Sequence, residues 1–219
     1  MTIIDCISDL HGHYPKLEGG DLLIIAGDLT AQDTKEQNYS FWKWAANQSY
    51  HEVVVIAGNH DNFLKNNPFA LQVPEENLCY LSDSGTEFRG LKIWGSPWTK
   101  TFEGMNQDCK AFTVDTDEEL EEKWKYIPEK VDILVTHSPP HGILDKAQHY
   151  LSVGSKSLAN KVEVIKPRAH IFGHIHESYG QLRVPFFDEN KELSSTIYVN
   201  ACHVDEYYRA VNKPIRIIL

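Results

Sequence analysis

Runs of aliphatic and β-branched residues recur along this chain, separated by polar stretches. Residues 2–7, 21–27, 52–58, 131–136 and 168–173 are each largely apolar, the pattern of strands buried on both faces. Helical periodicity falls between them. Residues 35–48 place Tyr39, Phe41, Trp42, Ala45 and Ala46 on one stripe, and residues 155–166 group Leu158, Val162 and Ile165 ahead of Pro167. Thr116 followed by Glu119 predicts a capping box, with Leu120 and Trp124 on one face and Pro128 as the stop. The opening order of strand, loop, strand, helix, strand, helix predicts a parallel sheet with crossovers. Residues 77–98 differ: short strand candidates at 78–81, 86–89 and 91–94 are split by polar turns and expected to be antiparallel. Further candidates at 195–200 and 214–218 make a mixed sheet, or two packed sheets, the expectation. No repeat, low-complexity tract or linker interrupts the 219 residues, so one domain over 1–219 is expected.

Composition narrows the class. With 42% hydrophobic and 24% charged residues the chain is ordinary for a globular protein. No apolar run approaches the length of about 20 that a membrane crossing needs, and residues 1–5 read as strand, not as a leader. The four cysteines, Cys6, Cys79, Cys109 and Cys202, form no CxxC pair, which suits a reduced, cytoplasmic protein and gives no thiolate metal site. A net charge of −10 disfavours long DNA or RNA as a partner, because non-specific binding relies on Lys and Arg.

The strand ends carry the chemistry. The five apolar runs lead in order to Asp9 and His11, to Asp28, to Asn59-His60-Asp61, to His137, and to His174 and His176. Ligands collect beyond the carboxyl ends of strands in open α/β sheets. Asp9, His11, Asp28, Asn59, His137, His174 and His176 offer two carboxylates, one amide oxygen and four imidazoles. One first-row ion rarely takes more than six ligands, and a hydrolytic site keeps positions open. Two ions, bridged by a carboxylate about 3.5–4 Å apart, are therefore expected. In extended backbone the pairs Asp9/His11 and His174/His176 would each point to one side. Gly27, Gly58 and Gly173 precede ligands where the chain must turn off its strand and come close to the ions. His60, with Asp61 orienting its ring, suits a general acid or a donor to a phosphoryl oxygen.

At these residues the chain resembles the calcineurin-like metallophosphoesterase superfamily, whose signature runs DxH, GD, GNH[DE], H and GHxH. Asp9-Leu10-His11, Gly27-Asp28, Gly58-Asn59-His60-Asp61, His137 and Gly173-His174-Ile175-His176 supply all five blocks. The resemblance implies a four-layer α/β/β/α sandwich with two mixed β-sheets. It implies that Asp9, His11 and His176 hold one metal, that Asn59, His137 and His174 hold the other, and that Asp28 bridges them. His60 would assist the leaving group, with Asp61 behind it. Residues 91–98, 131–140 and 170–180 look like the metallophosphoesterase-domain-containing branch, associated with phosphodiesters including cyclic nucleotides; Ser138 stands where glycine is expected there.

Protein phosphatases of the superfamily carry Asp-Arg-Gly shortly after the second block, whereas Leu29-Thr30-Ala31-Gln32-Asp33 follows Asp28 here. The expected activity is thus a dimetal phosphodiesterase that uses a metal-bridging hydroxide on cyclic nucleotides or other small phosphodiesters. A phosphomonoesterase at the same site is the alternative, and a non-catalytic metal-binding scaffold a further one. Mn, Fe, Zn, Co and Ni all suit such donors, Mn or Fe first. His141 is a candidate for the cleft wall, and Trp98 for stacking on a base. The sequence leaves the oligomeric state open.

Overall fold

The computed structural model describes residues 1–67, 76–102, 104–105, 107–188 and 190–219. Among these, thirteen strands and four α-helices follow in chain order: β1 (Ile3–Ile7), β2 (Gly20–Ala26), α1 (Lys35–Ala46), β3 (Tyr50–Ile56), α2 (Asn62–Asn66), β4 (Leu78–Leu81), β5 (Ser84–Phe88), β6 (Leu91–Ser96), β7 (Thr99–Lys100), β8 (Thr113–Val114), α3 (Asp117–Trp124), β9 (Ile133–Thr136), α4 (Lys156–Ile165), β10 (Ala169–Phe172), β11 (Gly180–Phe187), β12 (Leu193–Asn200) and β13 (Ile215–Ile218). They build a five-stranded sheet, β13-β1-β2-β3-β4, and a six-stranded sheet, β11-β12-β10-β9-β6-β5, with β7 and β8 pairing apart. Both large sheets are mixed. In the first, β1, β2, β3 and β4 run parallel and β13 runs antiparallel to β1. In the second, β6, β9, β10 and β12 are parallel, while β5 and β11 are antiparallel edges.

Alternation of side chains along the strands explains the layers. Ile4, Cys6, Ile24, Val54 and Ile56 of the first sheet face Ile93, Ile133, Val135, Ile171 and Val199 of the second, forming a dry core between the sheets. The opposite face of the first sheet, through Leu23, Ile25, Val53 and Val55, packs on Phe41, Trp42 and Ala45 of α1. Leu134 on the outer face of the second sheet packs with Leu120 and Trp124 of α3 and with Leu158 and Val162 of α4. The result is the expected α/β/β/α sandwich. The stripe of α1 differs in one detail: Tyr39 is exposed and Asn38 takes the inward position. Asn38 is tolerated there because its amide donates to Asp33 Oδ1 and Thr34 O, both at 3.0 Å.

Local chemistry sets the helix ends. Thr34, Thr116 and Ser155 cap α1, α3 and α4 with side-chain oxygens, and Thr116 with Glu119 makes the full capping box. The segment expected to be an antiparallel group is divided between the sheets. Residues 78–81 join the first sheet parallel to β3, while β5 and β6 form the expected antiparallel hairpin in the second. The two ends of the chain meet in the first sheet. Thr2 and Leu219 exchange backbone hydrogen bonds of 2.7 and 3.1 Å. Buried Asp5 of β1 takes a fork of two 2.8 Å bonds from Arg216 of β13 and a 2.5 Å bond from the Tyr50 hydroxyl. Among the described residues no helix is long and apolar enough to cross a membrane.

Candidate metal centre

The carboxyl ends of β1, β2 and β3 in one sheet face those of β9 and β10 in the other, and the predicted ligands meet in that seam. Asp9 and His11 follow β1, Asp28 follows β2, Asn59 follows β3, His137 follows β9, and His174 and His176 follow β10. Three triplets have ligand atoms within 4.8 Å of one another: Asp9/His11/His176, His11/Asp28/His60 and Asp9/Asp28/His137. Asp28 belongs to two of them and stands between the rest. Its Oδ2 lies 3.7 Å from His11 Nε2 and 3.8 Å from His60 Nε2; its Oδ1 lies 3.4 Å from His137 Nε2. Asn59 Oδ1 is 2.9 Å from His137 Nε2, and the His174 ring is centred 5.0 Å from that of His137.

The backbone reaches this geometry by turning. Asp9 (φ 51°), His11 (φ 42°), Asp28 (φ 54°) and His174 (φ 69°) are all left-handed, a region sparsely used by residues with a Cβ and often found at functional sites. The extended alternation expected for Asp9/His11 and His174/His176 is therefore corrected. β1 stops at Ile7, and His176 opens a short 3-10 turn, so the ligands converge through tight loops. Close approach explains the glycines. A Cβ on Gly58 would overlap the Asp28 carboxylate, and one on Gly173 would overlap the Asp9 carboxylate and the Ser8 hydroxyl.

Outer partners aim the ligands. His137 Nδ1 donates to Ala26 O at 2.9 Å and His176 Nδ1 donates to Asp205 O at 3.1 Å. Each turns Nε2 toward the carboxylates, the nitrogen that would become a metal ligand on losing its proton. Asp9 Oδ2 is held by Ser8 Oγ at 2.5 Å and by Cys202 Sγ at 3.1 Å. Asn59 Nδ2 donates to Cys109 O at 3.1 Å, which turns Oδ1 inward. Ser8, Cys202, Asp205 and Cys109 carry no motif of their own in the sequence. For Cys202 the one signal is its place just beyond the strand candidate at 195–200, and for Ser8 its place directly before Asp9.

Asp61 does not orient His60, contrary to expectation. Its carboxylate accepts backbone N–H groups of Asp28 (3.0 Å), Leu29 (3.1 Å) and Gly58 (2.7 Å), tying the ends of β2 and β3 together. Both carboxylate oxygens are thus turned to backbone amides, and among the described residues no hydrogen bond joins them to the His60 ring. The group beside His60 Nδ1 is Cys109 Sγ, at 3.5 Å. Trp98 is a packing residue: Nε1 donates to Asp83 at 2.7 Å and Lys123 Nζ sits 3.8 Å from its ring centre. His141 does line the cleft above the site.

The electrostatics ask for cations. Asp9 and Asp28 are buried, yet both carboxyls are held below their ordinary range. Burial raises them, but the hydrogen bond and charge of His176 on Asp9, and the charges of His137 and His60 on Asp28, win. Burial pushes His137 down, and the neighbouring Asp28 carboxylate more than reverses this, to about 10. Burial keeps His11 low, at about 4, and its Nε2 is buried without a hydrogen-bond partner. Two buried anions facing aimed imidazole nitrogens, one of them without a hydrogen-bond partner, fit a pair of divalent ions.

Comparison with known proteins agrees. Residues 3–178 match the family described as calcineurin-like phosphoesterase. Metallophosphoesterase domain-containing protein 1 of Homo sapiens is 35% identical, over 98% of this chain and 70% of its own. A UPF0046 protein of Caenorhabditis elegans is 30% identical over 96% of this chain and 58% of its own. Among solved structures, TT1561 of Thermus thermophilus shares the fold with a TM-score of 0.62 at 15% identity, covering 90% of this chain and 88% of that one.

Proposed function

The chain belongs to the calcineurin-like phosphoesterase family, a family of metal-dependent hydrolases of phosphoesters, and on that premise we propose that it is a phosphodiesterase for small diesters, cyclic nucleotides foremost. The observation that carries the reading is the convergence of Asp9, His11, Asp28, Asn59, His137, His174 and His176 from both sheets on one seam. Asp9, His11 and His176 would hold one ion, Asn59, His137 and His174 the other, with Asp28 between. Such ions, Mn or Fe by preference in so imidazole-rich a set, would supply Lewis-acid charge and acidify a water toward neutral pH.

The chain's own groups do the rest. His60 lines the cleft with its side chain 21% exposed, so it can donate to a phosphoryl oxygen or to the departing ester oxygen. Asp61, by clamping the turns after β2 and β3, fixes where His60 and Asn59 stand.

Charge and size favour a diester. The cleft above the centre has a volume of about 1070 Å³, ample for substituents on both sides of phosphorus. Its described lining carries Lys100 and Lys156 but no arginine, against Asp117, Glu118, Glu177 and Glu206. A monoester dianion calls for arginine forks or similar fixed charge; a diester, with one negative charge, does not. Four free cysteines, Cys6, Cys79, Cys109 and Cys202, support a reducing, cytoplasmic setting.

The test is hydrolysis of bis(p-nitrophenyl) phosphate beside p-nitrophenyl phosphate by Mn²⁺-loaded protein, with and without chelator. We expect chelator-sensitive cleavage with the diester faster, and loss of turnover by at least about 100-fold in Asp28→Ala. A preference for the monoester overturns the diesterase reading. Full activity in Asp28→Ala overturns the site.

A further inference from the structure

Tyr208 stands over the centre without a part in the ligand set. Its ring lies 4.8 Å from that of His11, 5.4 Å from that of His176 and 6.4 Å from that of His60, edge to face in each case. Two of these imidazoles belong to the proposed metal ligands and the third is the proposed donor to phosphate. A phosphoester seated among them therefore has the phenol ring as its neighbour.

The loop that presents Tyr208 is built for the purpose. The Asp205 carboxylate accepts from Tyr207 N at 3.0 Å, Arg209 N at 2.9 Å and Arg209 Nε at 2.7 Å. Tyr208 N donates to Asp205 O at 2.9 Å, the same carbonyl that aims His176. His203 N donates to Ser8 O at 2.8 Å, tying the loop to the turn that carries Asp9. At the tip Tyr208 has φ 59°, a conformation a residue with a Cβ rarely adopts. Position 208 thus holds an aromatic residue in a backbone shape that glycine would take more easily.

Packing does not account for the ring. Tyr208 remains 49% exposed, faces the cleft, and its hydroxyl has no hydrogen-bond partner among the described residues. The loop also lies beyond residue 178, where the family match ends.

The geometry points to Tyr208 as a substrate-contact residue whose ring seats a flat ester substituent, such as a nucleobase or aryl group, and so selects among esters that the shared centre could cut. This rests on the phosphoesterase reading above. Stacking on an aromatic side chain tolerates any base and is strong enough to dominate selectivity.

The experiment is titration calorimetry of the Mn²⁺-loaded full chain with adenosine 5′-monophosphate and with inorganic phosphate, in wild type, Tyr208→Phe, Tyr208→Leu and Tyr208→Ala. Metal content and thermal midpoint are measured for each. We expect the ratio of nucleotide to phosphate affinity to fall about tenfold in Tyr208→Leu and Tyr208→Ala and to hold in Tyr208→Phe. An unchanged ratio in Tyr208→Ala overturns the proposal, as does an equal fall in Tyr208→Phe, which would assign the effect to the hydroxyl. Failure of wild type to bind either ligand overturns the phosphoesterase reading and this one with it. Binding of both with no dependence on residue 208 overturns this one alone.

Discussion

His170 shows how a buried histidine near the centre differs from a ligand. Thr136 Oγ1 donates to Ser138 O at 2.7 Å, so its 2.8 Å contact with His170 Nε2 must be one it accepts. Nε2 then carries the proton, and Nδ1 is left buried without a partner. Burial holds the ring neutral, with its pKa lowered to about 3. In the unfolded chain a histidine titrates near 6.5. Between those values the unfolded state binds more protons, so stability from this residue is present above about 6.5 and is lost as pH falls toward 3. In chelator, where no ion intervenes, the drop in unfolding free energy from pH 6.5 to 4.5 should be smaller in His170→Gln than in wild type by roughly 2 kcal/mol. Urea melts at the two pH values measure it. At this scale the sequence was legible where a residue's role is local. The seven candidate ligands and three glycines that meet at the seam could be read from their neighbours along the chain. The Cys202 bond to Asp9, the Asp205 carbonyl on His176 and the position of Tyr208 could not, because each joins residues far apart in sequence through loops with no periodicity.

Elements were legible in proportion to how much of their surface is buried in a regular pattern. β1, β2, β3, β9 and β10 are covered on both faces, and α3 and α4 have a single apolar face, so their patterns stand out. β11 does not: it is an edge strand, exposed along most of its length, and includes Pro185. Proline and exposure erase the alternation that marks a strand. The direction of β4 was misread because a strand of four residues says nothing about which sheet it joins. Two tests belong here. Thr116→Ala removes the α3 cap and should lower stability by about 1 kcal/mol without changing metal content, as read by denaturant melts and elemental analysis. Gly173→Ala should do the reverse in emphasis. Its methyl displaces the Asp9 carboxylate, so bound metal should fall well below that of wild type; an unchanged metal content would show that the turn relaxes freely.

At the scale of the whole molecule the centre is a joint. Asp9, His11, Asp28 and Asn59 come from the first sheet; His137, His174 and His176 come from the second. Ions bound there would hold the two halves of the sandwich against each other as well as supply charge to the proposed reaction. Free ion at 100 times its dissociation constant adds about 2.7 kcal/mol to stability, so chelator should lower the thermal midpoint by several degrees, and Asp28→Ala should abolish most of that response. The shared core predicts one cooperative calorimetric transition for residues 1–219; two separate transitions would divide the chain into two domains. The fold's layering was legible because the five apolar runs demand cover on both faces, whereas the pairing of β13 with β1 is a contact between opposite ends of the chain. That pairing has a practical consequence. With Thr2 and Leu219 already hydrogen-bonded and Asp5 locked to Arg216, a short linker can join the ends, and new ones can be opened at the exposed Arg89-Gly90 turn. Such a circular permutant turns the β13–β1 pairing into a hairpin and makes β5–β6 the end-to-end pairing instead, so it should keep the fold and refold at a rate close to the parent's.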